Sequence, residues 1–578
     1  MSGKRELMVR ILSGFVVLLF TAAATAQVAP VSRPPAIVPA QTILAHNGVV
    51  AAQEQRAARI GVEILDRGGN AVDAAVAVGF ALAVTYPRAG NIGGGGFMVI
   101  HLAKTGEDVA IDYRETAPAA ATPTMFLDDK GEPDPNKSRD SALSIGVPGT
   151  VAGLALAHAK YGSGKLSLAD LIAPAITLAR NGVEILDDTA DTLPLAQARI
   201  ARWHSSAPVF LNSDGTVLMP GQDLLQPDLA ATLRAVAREG PKGFYEGPVA
   251  EKIVASVRKA GGIMTVDDLK NYRAVLRVPV RGKYRGYDIV SMPPPSSGGV
   301  HLIELLNILE GYDLAKLPRE QSLHDMIEAL KHVYADRAIF MGDPDAVQIP
   351  VPGLISKSYA AALRAQIGER ATPAAEIHAG KPADFEGRNT THFSVIDRDG
   401  SAVSNTYTLN FSYGLGLVAE DTGVLLNNEL DDFTAKPGAS NAFGLISYEA
   451  NLPGPGKRPL SSMTPTIILK DGKPFLITGS PGGSRIISTV LQVIVNAIDF
   501  HMPIGDAVSA PRVHEQWQPE EVSVEPGIAP EVLEALARRG HQIVPTPPQT
   551  SANSIEVTAD GYVGAADRRT RGSLAAGY

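Results

Sequence analysis

Residues 389–410 read NTTHFSVIDRDGSAVSNTYTLN. Two alternating runs, His392 to Asp397 and Ala402 to Asn410, flank a turn at Arg398 to Ser401 whose Asp399-Gly400 pair is a strong hairpin signal. Just upstream, Ala371 to Asn389 (ATPAAEIHAGKPADFEGRN) mixes small, proline and charged residues with no sustained hydrophobic period, the composition of a linker. Further strands are expected at Thr464 to Lys470 and Pro474 to Thr478, followed by a helix from Ile486 to Asp499. Strands joined by short antiparallel connections and flanked by helices predict an α/β (α+β) chain, with stacked sheets in an αββα sandwich.

The pair Thr390-Thr391 ends the linker and starts the first strand. A cut there would create an amino terminus whose α-amine, with an ordinary pKa near ~8, can act as base toward its own residue's hydroxyl. Two threonines at a strand start are, on position alone, more often plain β-formers. Closing the hairpin returns Thr390 to within two positions of Thr408 and Asn410. A two-residue loop sets Thr390 opposite Leu409, and one extra loop residue sets it opposite Asn410; the second register is favoured because it surrounds the hydroxyl with polar partners.

Other motifs fall on both sides of the hairpin. From Gln53 to Val84 two helical patterns are broken at Gly68 and Gly69, and the second, apolar almost all round, reads as buried. NIGGGGFM (Asn91 to Met98) leads into a strand from Phe97 to Leu102; without a following Gly-Lys-Ser/Thr it reads as tight backbone packing rather than a phosphate cradle. PPPSSGG (Pro293 to Gly299) makes a corner before an apolar helix from His301 to Leu309, within a middle region that reads as scaffold. In TGSPGGSR (Thr478 to Arg485) a strand runs into two glycines and a helix, so the amides of Gly482 and Gly483 suit an oxyanion hole. Ser480 lacks the spacing of a serine-hydrolase elbow. NNELDDF (Asn427 to Phe433) supplies Glu429, Asp431 and Asp432, and RPLSSM (Arg458 to Met463) supplies Ser461 and Ser462. Each motif alone reads as ordinary loop; with an arginine they can hold the two ends of a zwitterionic amino acid.

Composition narrows the classes. The 578 residues are 45% hydrophobic and 20% charged, which fits a folded chain with a large core. A net charge of −9 without a Lys/Arg block excludes nucleic acid as an expected partner. There is no cysteine, so a covalent nucleophile has to be an oxygen or an amine, and no H-E-x-x-H pair offers a metal site. Lys4, Arg5 and Arg10, the apolar run Ile11 to Phe20 and the small residues Ala24-Thr25-Ala26 predict a secretory signal over 1–26, cleaved to leave Gln27. The expected product is periplasmic or secreted, without a stable membrane anchor, metal or cofactor.

The strings NTTHFSVIDRDGSAV, TYTLN, LLNNELDDF, KRPLSSMTPTI and GSPGGSRI, with NIGGGGFM and DYRETAP upstream, resemble bacterial γ-glutamyltransferases from about Asn47 to Tyr578. The resemblance implies an N-terminal-nucleophile hydrolase fold and one precursor cut between Asn389 and Thr390. The products would be a large subunit (27–389) and a small subunit (390–578) that stay together as a heterodimer. By the same resemblance Thr390 matches the nucleophile and Thr408 its assisting hydroxyl. Arg114, Ser461 and Ser462 match ligands of the glutamyl carboxylate, Asn410, Glu429 and Asp432 those around its ammonium, and Gly482 and Gly483 the oxyanion hole. The implied substrates are glutathione and other γ-glutamyl compounds, with water or amino acids and peptides as acceptors. Phe443, in the stretch Lys436 to Lys457 that resembles the family's lid loop, stands where many relatives carry tyrosine, which implies a cover without a hydroxyl latch. Two alternatives remain at this stage: an acylase of the same superfamily acting on glutaryl-type side chains such as those of cephalosporins, and an uncut, inactive periplasmic binding protein.

Overall fold

The computed structural model describes residues 37–380, 391–442, 444–446 and 448–578. The predicted signal segment 1–26, the pair Asn389 and Thr390, and Phe443 lie outside the described residues.

Two seven-stranded antiparallel sheets stack face to face between helical layers, as the sequence predicts. The first sheet runs Gln41–Ala45, Gly561–Ala566, Asn553–Thr558, Lys473–Thr478, Thr466–Lys470, Tyr287–Ser291, Val280–Tyr284. The second runs Leu574–Gly577, Gly48–Ala52, Thr391–Asp397, Ala402–Thr408, Gly95–Leu102, Glu107–Asp112, Val275–Arg277. Helices Gly298–Leu309, Arg319–Phe340 and Arg485–Ile498 cover the first sheet, and Gln55–Asp66 and Ala71–Thr85 cover the second. Ala71–Thr85 is buried along its whole length, as its unbroken apolar pattern requires; Asn70 and Asp73 form a capping box at its start.

Period-two alternation sorts the second sheet's side chains. Val49, Ala51, Phe97 and Val99 face the first sheet, while Val50, Ala52, Met98 and Ile100 face the helices. In the central hairpin the helix side is likewise apolar, with Phe393, Val395, Val403 and Tyr407. Its inner side is apolar near the turn, with Ile396 and Ala402, and polar toward the open end. The Ser394 hydroxyl donates to the Asn553 carbonyl at 2.8 Å, and the Ser404 hydroxyl donates to the Thr478 carbonyl at 2.9 Å. The sheets are thus joined by hydrogen bonds where they flank the hairpin, because buried hydroxyls require partners.

The observed register differs from both expectations. Thr391 pairs with Tyr407 and Ile396 with Ala402, one residue from the two-residue-loop register and two from the favoured one. The turn takes in Arg398 as well: the Asp397 carboxylate accepts from the amides of Asp399 and Ser401, each at 3.0 Å, and Gly400 sits in the left-handed region at φ 88°. The second Asp397 oxygen accepts from the Ala71 amide at 2.9 Å, so a distant helix start fixes the residue at which the strand ends.

The linker expectation also needs correction for residues 371–380. The Thr372 amide donates to Glu328, the Gly380 amide to Asp336 and the Ala371 amide to the Arg539 carbonyl, so this stretch is pinned to the helix Arg319–Phe340 and its surroundings.

The packing reading of the four glycines holds. A Cβ at Gly93 would stand 2.1 Å from the Leu425 carbonyl oxygen, and one at Gly94 would stand 2.0 Å from that of Thr408. Only the absence of side chains lets this turn close on the end of the hairpin. The Gly94→Ala substitution is expected to lower the melting temperature by about 2 °C, as overpacking against fixed backbone does. The control is Gly368→Ala, whose added Cβ meets nothing within 4 Å. Equal melting of the two variants would refute the packing role.

Candidate functional site

The hairpin's open end sets the site. Thr408, the last residue of its second strand, is buried; its hydroxyl accepts from the Asn410 amide at 2.8 Å, and its carbonyl accepts from Asn91 Nδ2 at 2.7 Å. Asn410 adopts a left-handed backbone at φ 72° and donates through Nδ2 to the Asn428 carbonyl at 2.9 Å. Its Oδ1 is buried and has no hydrogen-bond partner among the described residues. Asn428 leads into the short turn Glu429–Asp432, which carries the acidic motif to the Arg114 guanidinium.

Arg114 is wholly buried and serves four protein acceptors. Nε donates to the Pro459 carbonyl at 2.9 Å, Nη1 to Glu429, and Nη2 to Asp432 at 2.6 Å and to the Leu460 carbonyl at 3.0 Å. Glu115 stands 3.8 Å away, also with no exposure, and neither of its oxygens has a hydrogen-bond partner among the described residues. One guanidinium therefore faces three carboxylates. Burial pushes Glu429 well above the usual carboxylate range and Glu115 up to about 7, against the pull of Arg114. Glu429 Oε2 has no hydrogen-bond partner among the described residues. The cluster is short of positive charge, which a bound ammonium would supply.

Ser461 and Ser462 lie beside this cluster, backed by the proline corner. Ser461 receives hydrogen bonds at its carbonyl from the Ser297 amide at 2.7 Å and the Ser297 hydroxyl at 3.0 Å. Ser462 Oγ accepts from Arg337 Nη2 at 2.5 Å, and Arg337 Nε donates to Ser297 Oγ at 2.9 Å. Sequence reading left Arg337 and the Ser296-Ser297 corner in the scaffold. The signal was Arg337 itself, a cation within an otherwise buried helix, but its partners lie 40 and 125 residues away.

On the other side, Gly482 and Gly483 take φ of 128° and 63° ahead of the helix Arg485–Ile498. Neither amide donates to a backbone acceptor among the described residues. Thr408, Asn410 and Gly482 line one cleft of about 570 Å³. The lid-like loop reaches its rim, since a Cβ at Gly444 would stand 3.6 Å from Nε2 of Gln516, a lining residue. Every predicted site residue among those described thus belongs to one connected region, although Arg114 faces the two acids more directly than it faces the serines.

His392, the second residue of the first hairpin strand, sits between the sheets. The Ser394 hydroxyl is committed to the Asn553 carbonyl, so Ser394 accepts from His392 Nε2–H at 3.0 Å and His392 Nδ1 accepts from the Thr406 hydroxyl at 2.9 Å. The ring is neutral; burial lowers its pKa from 6.5 to about 3. A neutral folded histidine stabilises the protein fully above pH 6.5, and that contribution is lost as the pH falls toward 3, at about 1.4 kcal/mol per pH unit. The His392→Gln variant is therefore expected to lose stability less steeply than the wild type between pH 6 and 4 in denaturant titrations. Parallel pH profiles would contradict the assignment.

Comparison with known proteins gives a consistent picture. Residues 57–577 match the model of the family described as gamma-glutamyltranspeptidase. The chain is 48% identical to the glutathione hydrolase proenzyme of Escherichia coli (strain K12), over 97% of each chain. A cephalosporin acylase from Bacillus halodurans superposes with a TM-score of 0.84 at 27% identity, covering 95% of this chain and 99% of that one. The Helicobacter pylori gamma-glutamyltranspeptidase superposes with a TM-score of 0.55 at 48% identity, covering 56% of this chain and 93% of that one.

Proposed function

The chain belongs to the gamma-glutamyltranspeptidase family, and on that premise we propose that it cuts itself between Asn389 and Thr390 and then uses Thr390 to cleave the γ-glutamyl bond of glutathione and related compounds. In self-cleavage the Thr390 hydroxyl attacks the Asn389 carbonyl, the acyl group moves from nitrogen to oxygen, and water hydrolyses the ester. The α-amine released on Thr390 is the base for turnover. It takes the hydroxyl proton as the oxygen adds to the γ-carbonyl, and the Gly482 and Gly483 amides stabilise the oxyanion. The proton passes to the departing amine, cysteinylglycine in the case of glutathione, and a γ-glutamyl ester remains on Thr390. Water or the amine of an amino acid or peptide then takes the acyl group. Thr408 orients the nucleophile.

The observation that carries this reading is the buried cluster of Arg114 with Glu115, Glu429 and Asp432, beside Asn410 with its unpartnered carbonyl oxygen. A γ-glutamyl group ends in an ammonium and a carboxylate. We infer that this zwitterion enters by exchange: its ammonium takes over Glu429, Asp432 and Asn410, and its carboxylate takes up Arg114 and the Ser461 and Ser462 hydroxyls. An internal ion pair is replaced by two, so no charge is left buried alone.

Cleavage would give subunits 27–389 and 390–578, and the interleaving of their strands in both sheets supports their staying together. Export is supported by the basic and apolar start of the chain, with the mature protein in the periplasm or outside the cell. Among the described residues no helix is long and apolar enough to cross a membrane.

Intact mass and N-terminal sequencing of the purified protein test the processing. Two fragments are expected, the smaller starting Thr-Thr-His-Phe, with release of a γ-glutamyl anilide; Thr390→Ala should give one uncut chain that releases none. An uncut, inactive wild type would overturn the reading. The glutaryl acylase alternative predicts preference for substrates lacking the amine. We expect the wild type to favour γ-glutamyl over glutaryl anilide by at least about 100-fold, as loss of a buried charged contact costs about 3 kcal/mol. Glu429→Gln should narrow that gap about tenfold; an equal or reversed preference in the wild type would favour the acylase.

A further inference from the structure

The cleft that contains Thr408, Asn410 and Gly482 extends well past them, and its far side has a distinct chemistry. Its lining includes Arg88, Arg485 and Arg569 and, among the described residues, no aspartate or glutamate. The chain as a whole carries a net charge of −9. A cationic cleft on an acidic protein selects for anionic ligands.

The three arginines are not equivalent. Arg88 donates to Asp188 at 2.6 Å and to Ser412 at 3.0 Å. Arg569 is paired with Glu525 at 2.7 Å and Asp567 at 3.2 Å. Arg485 has no carboxylate within 4.0 Å among the described residues; Nη2 donates to the Ser523 hydroxyl at 3.1 Å. It is half-buried, and burial lowers its pKa by more than Tyr334 and Glu525 restore. It is also the first residue of the 14-residue helix Arg485–Ile498, whose first turn holds no acid. A cation at a helix N-terminus opposes the helix dipole, by about 0.3–1 kcal/mol. Partial desolvation and the dipole both disfavour this guanidinium, and the Ser523 hydroxyl with the more distant Tyr334 and Glu525 offsets them only in part. A ligand carboxylate would offset both.

Position decides which carboxylate. Arg485 lines the same cleft as Gly482, one of the two glycines whose amides are assigned to the oxyanion. The glutamyl end of a donor belongs in the acid-rich cluster around Arg114, which leaves the cationic side for the other half of the scissile bond. A dipeptide extends about 7 Å, so its terminal carboxylate lies about that far along the cleft when its nitrogen is at the reacting carbonyl.

We propose that Arg485 anchors the C-terminal carboxylate of the short peptide on the amine side of the scissile bond, whether that peptide is departing from a donor or arriving as an acceptor. The inference rests on the γ-glutamyl reading above and adds a specificity residue to it. Departing and arriving peptides share this chemistry because transfer runs the same step in reverse.

The experiment compares free acids with amides. In the first arm kcat/KM is measured for glutathione and for glutathione amidated at its glycine. In the second arm a γ-glutamyl anilide is the donor and glycylglycine or glycylglycinamide the acceptor. The wild type is expected to favour the acid by about tenfold, the worth of one charged hydrogen bond. Arg485→Gln should bring the ratio close to one, with Arg485→Lys in between. A preference confined to one arm supports the anchor for the departing or the arriving peptide alone. A wild-type ratio near one in both arms, which needs no variant to fold, overturns the proposal, as does a ratio that survives in Arg485→Gln. Failure of the wild type to cleave any γ-glutamyl compound is a different result and defeats the functional reading itself.

Discussion

Strands from the two sides of residues 381–390 are mixed within both sheets, and the rest of the architecture depends on that interleaving. The hairpin Thr391–Asp397 and Ala402–Thr408 lies between Gly48–Ala52 and Gly95–Leu102, and Leu574–Gly577 closes the same sheet on the other side of Gly48–Ala52. In the first sheet Gln41–Ala45 pairs with Gly561–Ala566, and Tyr287–Ser291 pairs with Thr466–Lys470. Separating the two parts would break five antiparallel ladders and expose both faces of the sandwich. A backbone cut can therefore release a new amino terminus at the hairpin without releasing the hairpin. The hairpin that begins at Thr391 is held by the sheet on both sides, so the proposed cut before it would leave its strands in place.

The second requirement is to bury polar groups without leaving them unpaired. Between the sheets this is met by short hydroxyl bonds, from Ser394 to the Asn553 carbonyl and from Ser404 to the Thr478 carbonyl, and by a histidine kept neutral between two hydroxyls. Around Arg114 it is met only in part, because three carboxylates share one guanidinium. Partial satisfaction is costly in a folded core and useful in a binding site, since the ligand then contributes what the protein lacks. Glu429 Oε2 and Asn410 Oδ1 mark where that contribution belongs.

Local patterns made the layers readable, and long-range contacts account for what was missed. Alternation and Asp399-Gly400 gave the hairpin; the register escaped because the Asp397 carboxylate holds both its own turn and the Ala71 amide, a residue 326 positions away. The four glycines read correctly as packing because a helix and a phosphate motif were both missing after them. The stretch 371–380 resembled a linker in composition, yet Glu328 and Asp336 bind its backbone. Arg337 and the Ser296-Ser297 corner were assigned to scaffold for the same reason: their work is to hold Ser461 and Ser462, and no spacing in the sequence reports a contact across 125 residues. The described residues that the family resemblance singled out fall in one region, but the direct pairing of Arg114 with Glu429 and Asp432 is visible only in three dimensions.

The two ends of the site have opposite electrostatic character, and that polarity gives a substrate its orientation. At the Arg114 end, buried carboxylates outnumber the cation, and Glu429 Oε2 and both Glu115 oxygens have no hydrogen-bond partner among the described residues. At the far end the cleft is lined by arginines, with Arg485 lacking a carboxylate partner among the described residues. A compound with an ammonium at one end and a carboxylate at the other experiences a gradient along its length. Entering head first it meets complementary charge at both termini; entering tail first it meets like charge at both. Like-charge contacts in a partly desolvated cleft cost more than the matched ones gain in water, so the wrong orientation is rejected more strongly than the right one is held. In the proposed reaction the reacting carbonyl would lie between these poles, at the Gly482 and Gly483 amides, and its alignment would follow from the anchoring of the two ends rather than from contacts of its own.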